Sequence, residues 1–144
     1  MDMIKLTESV TSRIERAIEE GKTLTAAYVD TKGKPHISFY GSIHVHSQDT
    51  LALWVRKKES ELLKTLPTRP HIALLYGDIS STYFMHFEGT ASIENNEAQR
   101  DGIYRAMHPI ERKFDSKMLG TAIIIKLDKV TIRTKSGSNI SVRN

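Results

Sequence analysis

The sequence predicts a mainly β domain with short helices, its six antiparallel strands curled into a small barrel that is closed or nearly closed. Three observations predict it. Six segments between Thr23 and Thr134 carry strand-type patterning, most of it alternating with a period of two. The early strands follow one another through connections of about 3–5 residues, the mark of an antiparallel meander. The chain has 144 residues, 39% hydrophobic and 26% charged, which fits one domain over residues 1–144 that buries a core without staples.

The elements follow in order. Residues 1–22 carry an N-terminal helix expected over Thr7–Glu20, with Thr7 as cap, Val10, Ile14, Ala17 and Ile18 on one face, and Gly21 as stop. Thr23–Val29 is the first strand, and Asp30-Thr31-Lys32-Gly33 a hairpin turn. Pro35–His46 reads as one longer strand and Leu51–Val55 as the third. Ser60–Leu66 is a short helix with Leu62, Leu63 and Leu66 on its apolar side, closed by Pro67 and Pro70. His71–Tyr76 and Thr82–Ile93 are further strands, and Asn96–Met107 is a helix ended by His108-Pro109. A charged, loosely patterned stretch precedes the last strand, Thr121–Thr134. Its run Ala122-Ile123-Ile124-Ile125 is apolar on both faces, as in a central strand. The tail, residues 136–144, is rich in Ser, Asn and Gly and is expected to be mobile or draped over a partner.

Composition narrows the chemistry. Cysteine is absent, which excludes disulfides, thiolate metal sites and cysteine nucleophiles and suits a reducing cytoplasm. No apolar run approaches the roughly 20 residues of a membrane span, and the N-terminus lacks a signal-peptide pattern, so a cytoplasmic protein is expected. The net charge is +4, but the cations are scattered among 17 acids, and only Arg56-Lys57-Lys58 forms a tight run. Nucleic acid calls for a broad basic face and is not expected as a partner. A local cluster just before a helix suits the phosphate of a small ligand. There is no G-x-S-x-G elbow, P-loop or G-x-G-x-x-G, and hence no sign of hydrolase or kinase chemistry. His44 and His46 share a strand face, but with His86 they show no diagnostic ligand spacing, so no metal site is expected. Tyr40, Trp54, Tyr83, Phe84 and Phe87 read first as core or interface aromatics.

Three stretches carry a family resemblance: "GKPHISFYGSIHV", "TLALWVRKKESELLKTLPTRPHIALLY" and "MHFEGTASI". In this order and spacing, over about Leu24 to Arg133, the chain resembles the split-barrel flavoproteins related to pyridoxamine 5'-phosphate oxidase. The resemblance implies an FMN-binding split barrel and a homodimer, with flavin mononucleotide (FMN) in a groove at the subunit interface. Ser38, Phe39, Tyr40, Gly41, Ser42 and Ile43 would line the ring, and Val55 and Arg56 would meet the ribityl phosphate. Lys57, Ser60 and the helix N-terminal N–H groups would assist, with Arg56 as the bidentate partner. His36 stands at the groove entrance or in an exposed turn. Tyr104 and His108 either reach the partner's groove or simply pack at the end of their helix.

The chain also departs from the family pattern. Glu61 and Leu62 stand where a basic pair is usual, and Ile43 where a ring-side lysine often falls. The terminus "KSGSNISVRN" lacks the R-x-E-F-W-type segment of the oxidase itself, so that particular activity is not expected. The function implied is an FMN-dependent oxidoreductase acting on an unidentified small molecule, with the cofactor carrying the chemistry and no catalytic residue named. A deazaflavin coenzyme in the same groove is the alternative within the family. A non-catalytic flavin- or haem-binding module, the haem held by His44, His46 or His86, is the alternative from another class. A structural dimer without cofactor is the third.

Overall fold

The computed structural model of the chain describes residues 2–143. Its elements are β1 (Asp2–Met3), α1 (Glu8–Glu15), β2 (Thr25–Val29), β3 (Pro35–Phe39), β4 (His44–Ser47), β5 (Thr50–Val55), α2 (Glu61–Thr65), β6 (His71–Asp78), β7 (Tyr83–Glu94), α3 (Glu97–Ala106), α4 (Pro109–Phe114), β8 (Thr121–Thr134) and β9 (Gly137–Val142). Alternation decides how these strands stack. On β6, Ile72, Leu74 and Tyr76 turn inward while His71, Leu75 and Gly77 stay exposed, the pattern of a strand with one wet face. On β5 nearly every side chain is buried. Leu51, Leu53 and Val55 enter the main core, whereas Ala52 and Trp54 pack on the opposite face against Ile103, Tyr104 and Met107 of the α3 region. The double-sided burial of Ala122–Ile125 has the same cause, since Ile123 and Ile125 face the barrel and Ala122 faces α3.

The sheet runs β3-β2-β6-β7-β8-β5-β4, antiparallel throughout this path. Its two ends, β3 and β4, are consecutive in the chain, yet they share no ladder. The sheet therefore curls round without closing, and the fold is a split barrel. Opposite Glu88 and Gly89 of β7, the extra residue Asp128 makes a bulge that bends β8. Gly89 is required there, because a Cβ would lie 2.6 Å from the Lys126 carbonyl oxygen.

Four expectations are corrected. Nine strands, not six, lie among the described residues, because the expected strand Pro35–His46 divides in two and both ends of the chain add strands. The tail, expected loose over residues 136–144, is ordered as far as it is described: Gly137–Val142 pairs with β8 from Thr134↔Gly137 to Lys129↔Val142, and Asp2–Met3 pairs alongside it, while residue 144 lies outside the described residues. A tight turn at Lys135-Ser136, followed by Gly137 with φ of +120°, reverses the chain. Arg143 then fastens the end, donating to the Leu127 carbonyl at 2.8 Å and to Asp49 at 2.9 Å. The first helix ends at Glu15 rather than Glu20, and turns carry the chain to Gly21, which takes φ of +70°. Finally, the loosely patterned stretch before β8 contains α4, started by His108 as N-cap and Pro109 at the first position.

Candidate functional site

The break in the long strand builds the site. Hydrogen-bonded pairs between β2 and β3 fall on even-numbered residues: Asp30 N–H donates to Lys34, and Tyr40 N–H to Leu24. The backbone groups of Ile37 and Phe39 consequently point off the sheet, along an unpaired edge. After Phe39 the chain turns through Tyr40-Gly41-Ser42-Ile43. Ser42 pins the far side of that turn: its hydroxyl accepts from Trp54 N–H at 2.9 Å and donates to the Trp54 carbonyl at 3.2 Å. Its oxygen is thus committed to the fold, and what Ser42 offers a ligand is its position in the turn. Ile43 is buried in the core, which explains an apolar residue where a lysine would otherwise stand.

β5 delivers the cations. Val55 is buried, and the chain emerges at Arg56, Lys57 and Lys58, all exposed. Among the described residues no carboxylate lies within ion-pair distance of any of the three. The Arg56 guanidinium rests over the Phe114 ring, 4.7 Å from its centroid. Ser60 caps α2, and its Oγ accepts from Leu62 N–H at 3.2 Å, which leaves its own O–H to donate. α2 has only five residues, so its macrodipole is small. Leu62 is wholly buried in the core. A cation there would face inward rather than toward a ligand.

A third wall comes from α4, which sequence patterning missed. Arg100 on α3 donates to the carbonyl oxygens of Met118 and Gly120, and lies 4.8 Å over the Trp54 ring. The Tyr104 hydroxyl reaches the carbonyls of Arg112 and Asp115, and Arg112 in turn satisfies the carbonyls of Arg105 and Met107 at the end of α3. Tyr104 therefore positions α4 and does not line the site. His108 caps α4 and pairs with Glu19 at 3.0 Å. These bonds bring Glu111 and Phe114 over the turn at Gly41. A Cβ on Gly41 would lie 2.7 Å from the Glu111 Oε2, so the glycine is what lets the carboxylate settle there. The signal for this wall was the pair His108-Pro109, a helix start read only as a helix stop.

These walls enclose a cavity of about 610 Å³, within the range of small-molecule sites. Nine of the ten residues singled out in the sequence line it, Ser38, Phe39, Tyr40, Gly41 and Ser42 from the broken strand and Val55, Arg56, Lys57 and Ser60 beyond it, while Ile43, expected beside the ring, is buried in the core instead. Thr23, Trp54, Glu111 and Phe114 complete it. Burial pushes the Tyr40 phenol up, and it stays protonated as a hydrogen-bond donor. Tyr28 behaves alike: burial, with Tyr40, Glu61 and Asp30 nearby, pushes its phenol up to about 12. The cavity combines unpaired cations, hydroxyl donors and an open strand edge, a donor set suited to an anionic ligand with a hydrogen-bonding ring.

His36 lies outside this cavity. Its Nε2 bonds Asp30 Oδ2 at 2.8 Å and its ring stacks on Tyr28, centroids 4.8 Å apart. That bond, with the N–H groups of Lys34 and Lys32, holds the Asp30 carboxyl down at about 2. His44 is buried, with Nδ1 on the Ser42 carbonyl at 2.8 Å, and its Nε2 has no partner among the described residues. Burial keeps it neutral, lowering its pKa. His46 and His86 are exposed on different strands. Among the described residues, no three His, Cys, Asp or Glu side chains stand close enough to hold a metal ion, and no helix is long and apolar enough to cross a membrane.

Comparison with known proteins agrees with this architecture. The family model described as pyridoxamine 5'-phosphate oxidase matches residues 10–136, and the chain belongs to that family. No curated protein matches the sequence. The fold is similar to HupZ of Group A Streptococcus, with TM-score 0.68 and 18% identity, covering 92% of this chain and 97% of that one. It is similar to a Clostridium acetobutylicum protein related to general stress protein 26 of B. subtilis, described as of the pyridoxinephosphate oxidase family. That match has TM-score 0.69 and 12% identity and covers 94% and 96%. A third similar structure is a heme binding protein from Mycobacterium smegmatis, with TM-score 0.63 and 16% identity, covering 92% of this chain and 57% of that one.

Proposed function

We propose that the protein is an FMN-dependent oxidoreductase acting on a small molecule, with the cofactor seated in the cavity between the broken strand and α4. The observation that carries this is the convergence of Arg56, Lys57 and Ser60 with the free edge of β3 on one cavity. The charge fits, because two cations without an acidic partner and a free hydroxyl suit a phosphate monoester. The edge fits as well, since outward N–H and C=O groups of Ile37 and Phe39 complement the polar edge of a flavin. When bound, FMN supplies hydride and electron transfer. The chain's own residues bind and orient: Arg56 and Lys57 neutralise the phosphate, Ser60 donates to it, and Tyr40 donates from the turn. Phe114 and Trp54 exclude water from that side.

The site as described is open on one side, and the reading includes a homodimer that closes it. Ile37, Phe39 and Leu75 are 72%, 71% and 51% exposed, and Ala27 and Ala73 lie between them on the outer face of β3, β2 and β6. Phe39 belongs both to this apolar face and to the cavity. A second copy covering the face would bury it and wall the cavity.

The haem alternative is favoured by one observation: His86 is exposed beside an apolar cavity of about 360 Å³ on the same outer face, near Arg133. One experiment separates the readings. The purified protein is titrated with FMN, a deazaflavin coenzyme and haem, followed by absorbance and fluorescence. Saturable FMN binding at one site per chain supports the oxidoreductase. Binding of deazaflavin alone changes the cofactor, and a Soret band lost in His86→Ala supports the haem module. Binding of none defeats all three.

A further inference from the structure

Glu111 is an acid in a cavity otherwise suited to anions. Its carboxylate lies against Gly41, and neither oxygen takes a hydrogen bond or ion pair from any described residue. It shares the cavity with Arg56 and Lys57 but does not pair with them, because Arg56 is stacked on Phe114, one turn of α4 further on. α4 itself is fixed from below by Tyr104 and Arg112 and at its end by Asp115, so Glu111 is held there by packing, not by attraction to the cations.

We propose that Glu111 is a specificity-determining residue: a resident anion that a ligand's phosphate must work against or displace, which sets how strongly the cavity prefers phosphorylated over unphosphorylated ligand. This rests on the cofactor site proposed above. The electrostatics run in one direction. The two cations attract a phosphate dianion, and the carboxylate, in the same small space, repels it. An uncharged ribityl chain feels neither effect. Removing the charge while keeping the shape should therefore tighten the phosphorylated ligand and leave the unphosphorylated one alone. Across a partly solvated cavity, one unit charge opposing a phosphate is expected to weigh about three- to tenfold in affinity. Because the cavity is open to solvent, added salt should shrink it.

The test is equilibrium titration of the wild-type protein and Glu111→Gln with FMN and with riboflavin, at low and high salt. The expected result is FMN affinity raised by about three- to tenfold in Glu111→Gln, riboflavin affinity unchanged, and a smaller gain at high salt. Thermal denaturation of both proteins checks that α4 keeps its place, and Glu111→Asp, which keeps the charge, should bind FMN as the wild type does. If FMN binds wild type and Glu111→Gln equally, or binds the variant more weakly, Glu111 does not act as a competing anion and the inference is overturned while the cofactor site stands. If neither flavin binds either protein, the cofactor site itself falls, and this inference with it.

Discussion

The indole N–H of Trp54 donates to Asp115 Oδ2 at 2.8 Å, and that bond couples the β5 wall of the cavity to the end of α4. The same carboxylate accepts from Leu119 N–H at 3.0 Å and from Gly120 N–H at 2.8 Å. Burial works against the charge, but these donors, with Arg100 nearby, outweigh it and lower the Asp115 pKa. Gly120 is part of the same arrangement, since a Cβ there would collide with Trp54 Nε1 and lie 2.7 Å from the Val55 carbonyl oxygen.

Asp115→Ala should therefore cost more than an ordinary surface change. It leaves three N–H donors, two of them part-buried, without their acceptor, and the expected loss is about 2–4 kcal/mol. Denaturant unfolding measures it. Flavin affinity should fall as well, although Arg56 and Lys57 are untouched, because α4 loses its anchor. Gly120→Ala is expected to destabilise by about 1–3 kcal/mol through overpacking on Trp54.

The Asp30–His36 pair sets an acid limb of stability. The folded carboxyl is held at about 2, below its ordinary 3.8, so across that interval the unfolded chain binds more protons. Stability from Asp30 is complete above the ordinary value and is lost as pH falls from 3.8 toward 2. Melting temperatures of wild type and Asp30→Asn, taken from pH 5 down to 2, check this. The two should converge as the solution is acidified, and a gap independent of pH would mean the carboxylate's charge is irrelevant.

Dimerisation should depend on the outer apolar face. Leu75→Glu places a charge where a second copy would sit, while the residue is already 51% exposed in one chain. Sedimentation is expected to give a dimer for the wild type and a monomer for the variant, with unchanged circular dichroism. A variant that remains dimeric would place the contact elsewhere.

Much of the barrel was legible because burial imposes alternation, and on β5 and β8 apolar runs on both faces signal cover on both sides. Other features were legible only in part. Tyr40 and Ile43 both pack on the core although they are three apart, which a continuous strand cannot do. That slip of phase marks the break in Pro35–His46, although Gly41 falls within the stretch that the family resemblance assigns to the ring. Ile140 and Val142 alternate after the turn at Lys135-Ser136, yet the Ser and Asn around them suggested a loose tail. The nine cavity residues lie in local stretches that family resemblance singles out. Glu111 and Phe114 do not, for they sit half-exposed or exposed on a six-residue helix too short to show a periodic face. Their role depends on hydrogen bonds made by Trp54, Tyr104 and Arg100, which no spacing reveals.

The central claim is that Arg56 holds a cofactor phosphate in this cavity. The most direct measurement is the equilibrium dissociation constant for FMN in wild type and Arg56→Ala, with the fold of each checked by circular dichroism. Losing one charge-assisted, bidentate contact predicts at least about a tenfold weakening, from a side chain that is exposed and makes no structural ion pair among the described residues. Equal affinity in the two proteins would contradict the account.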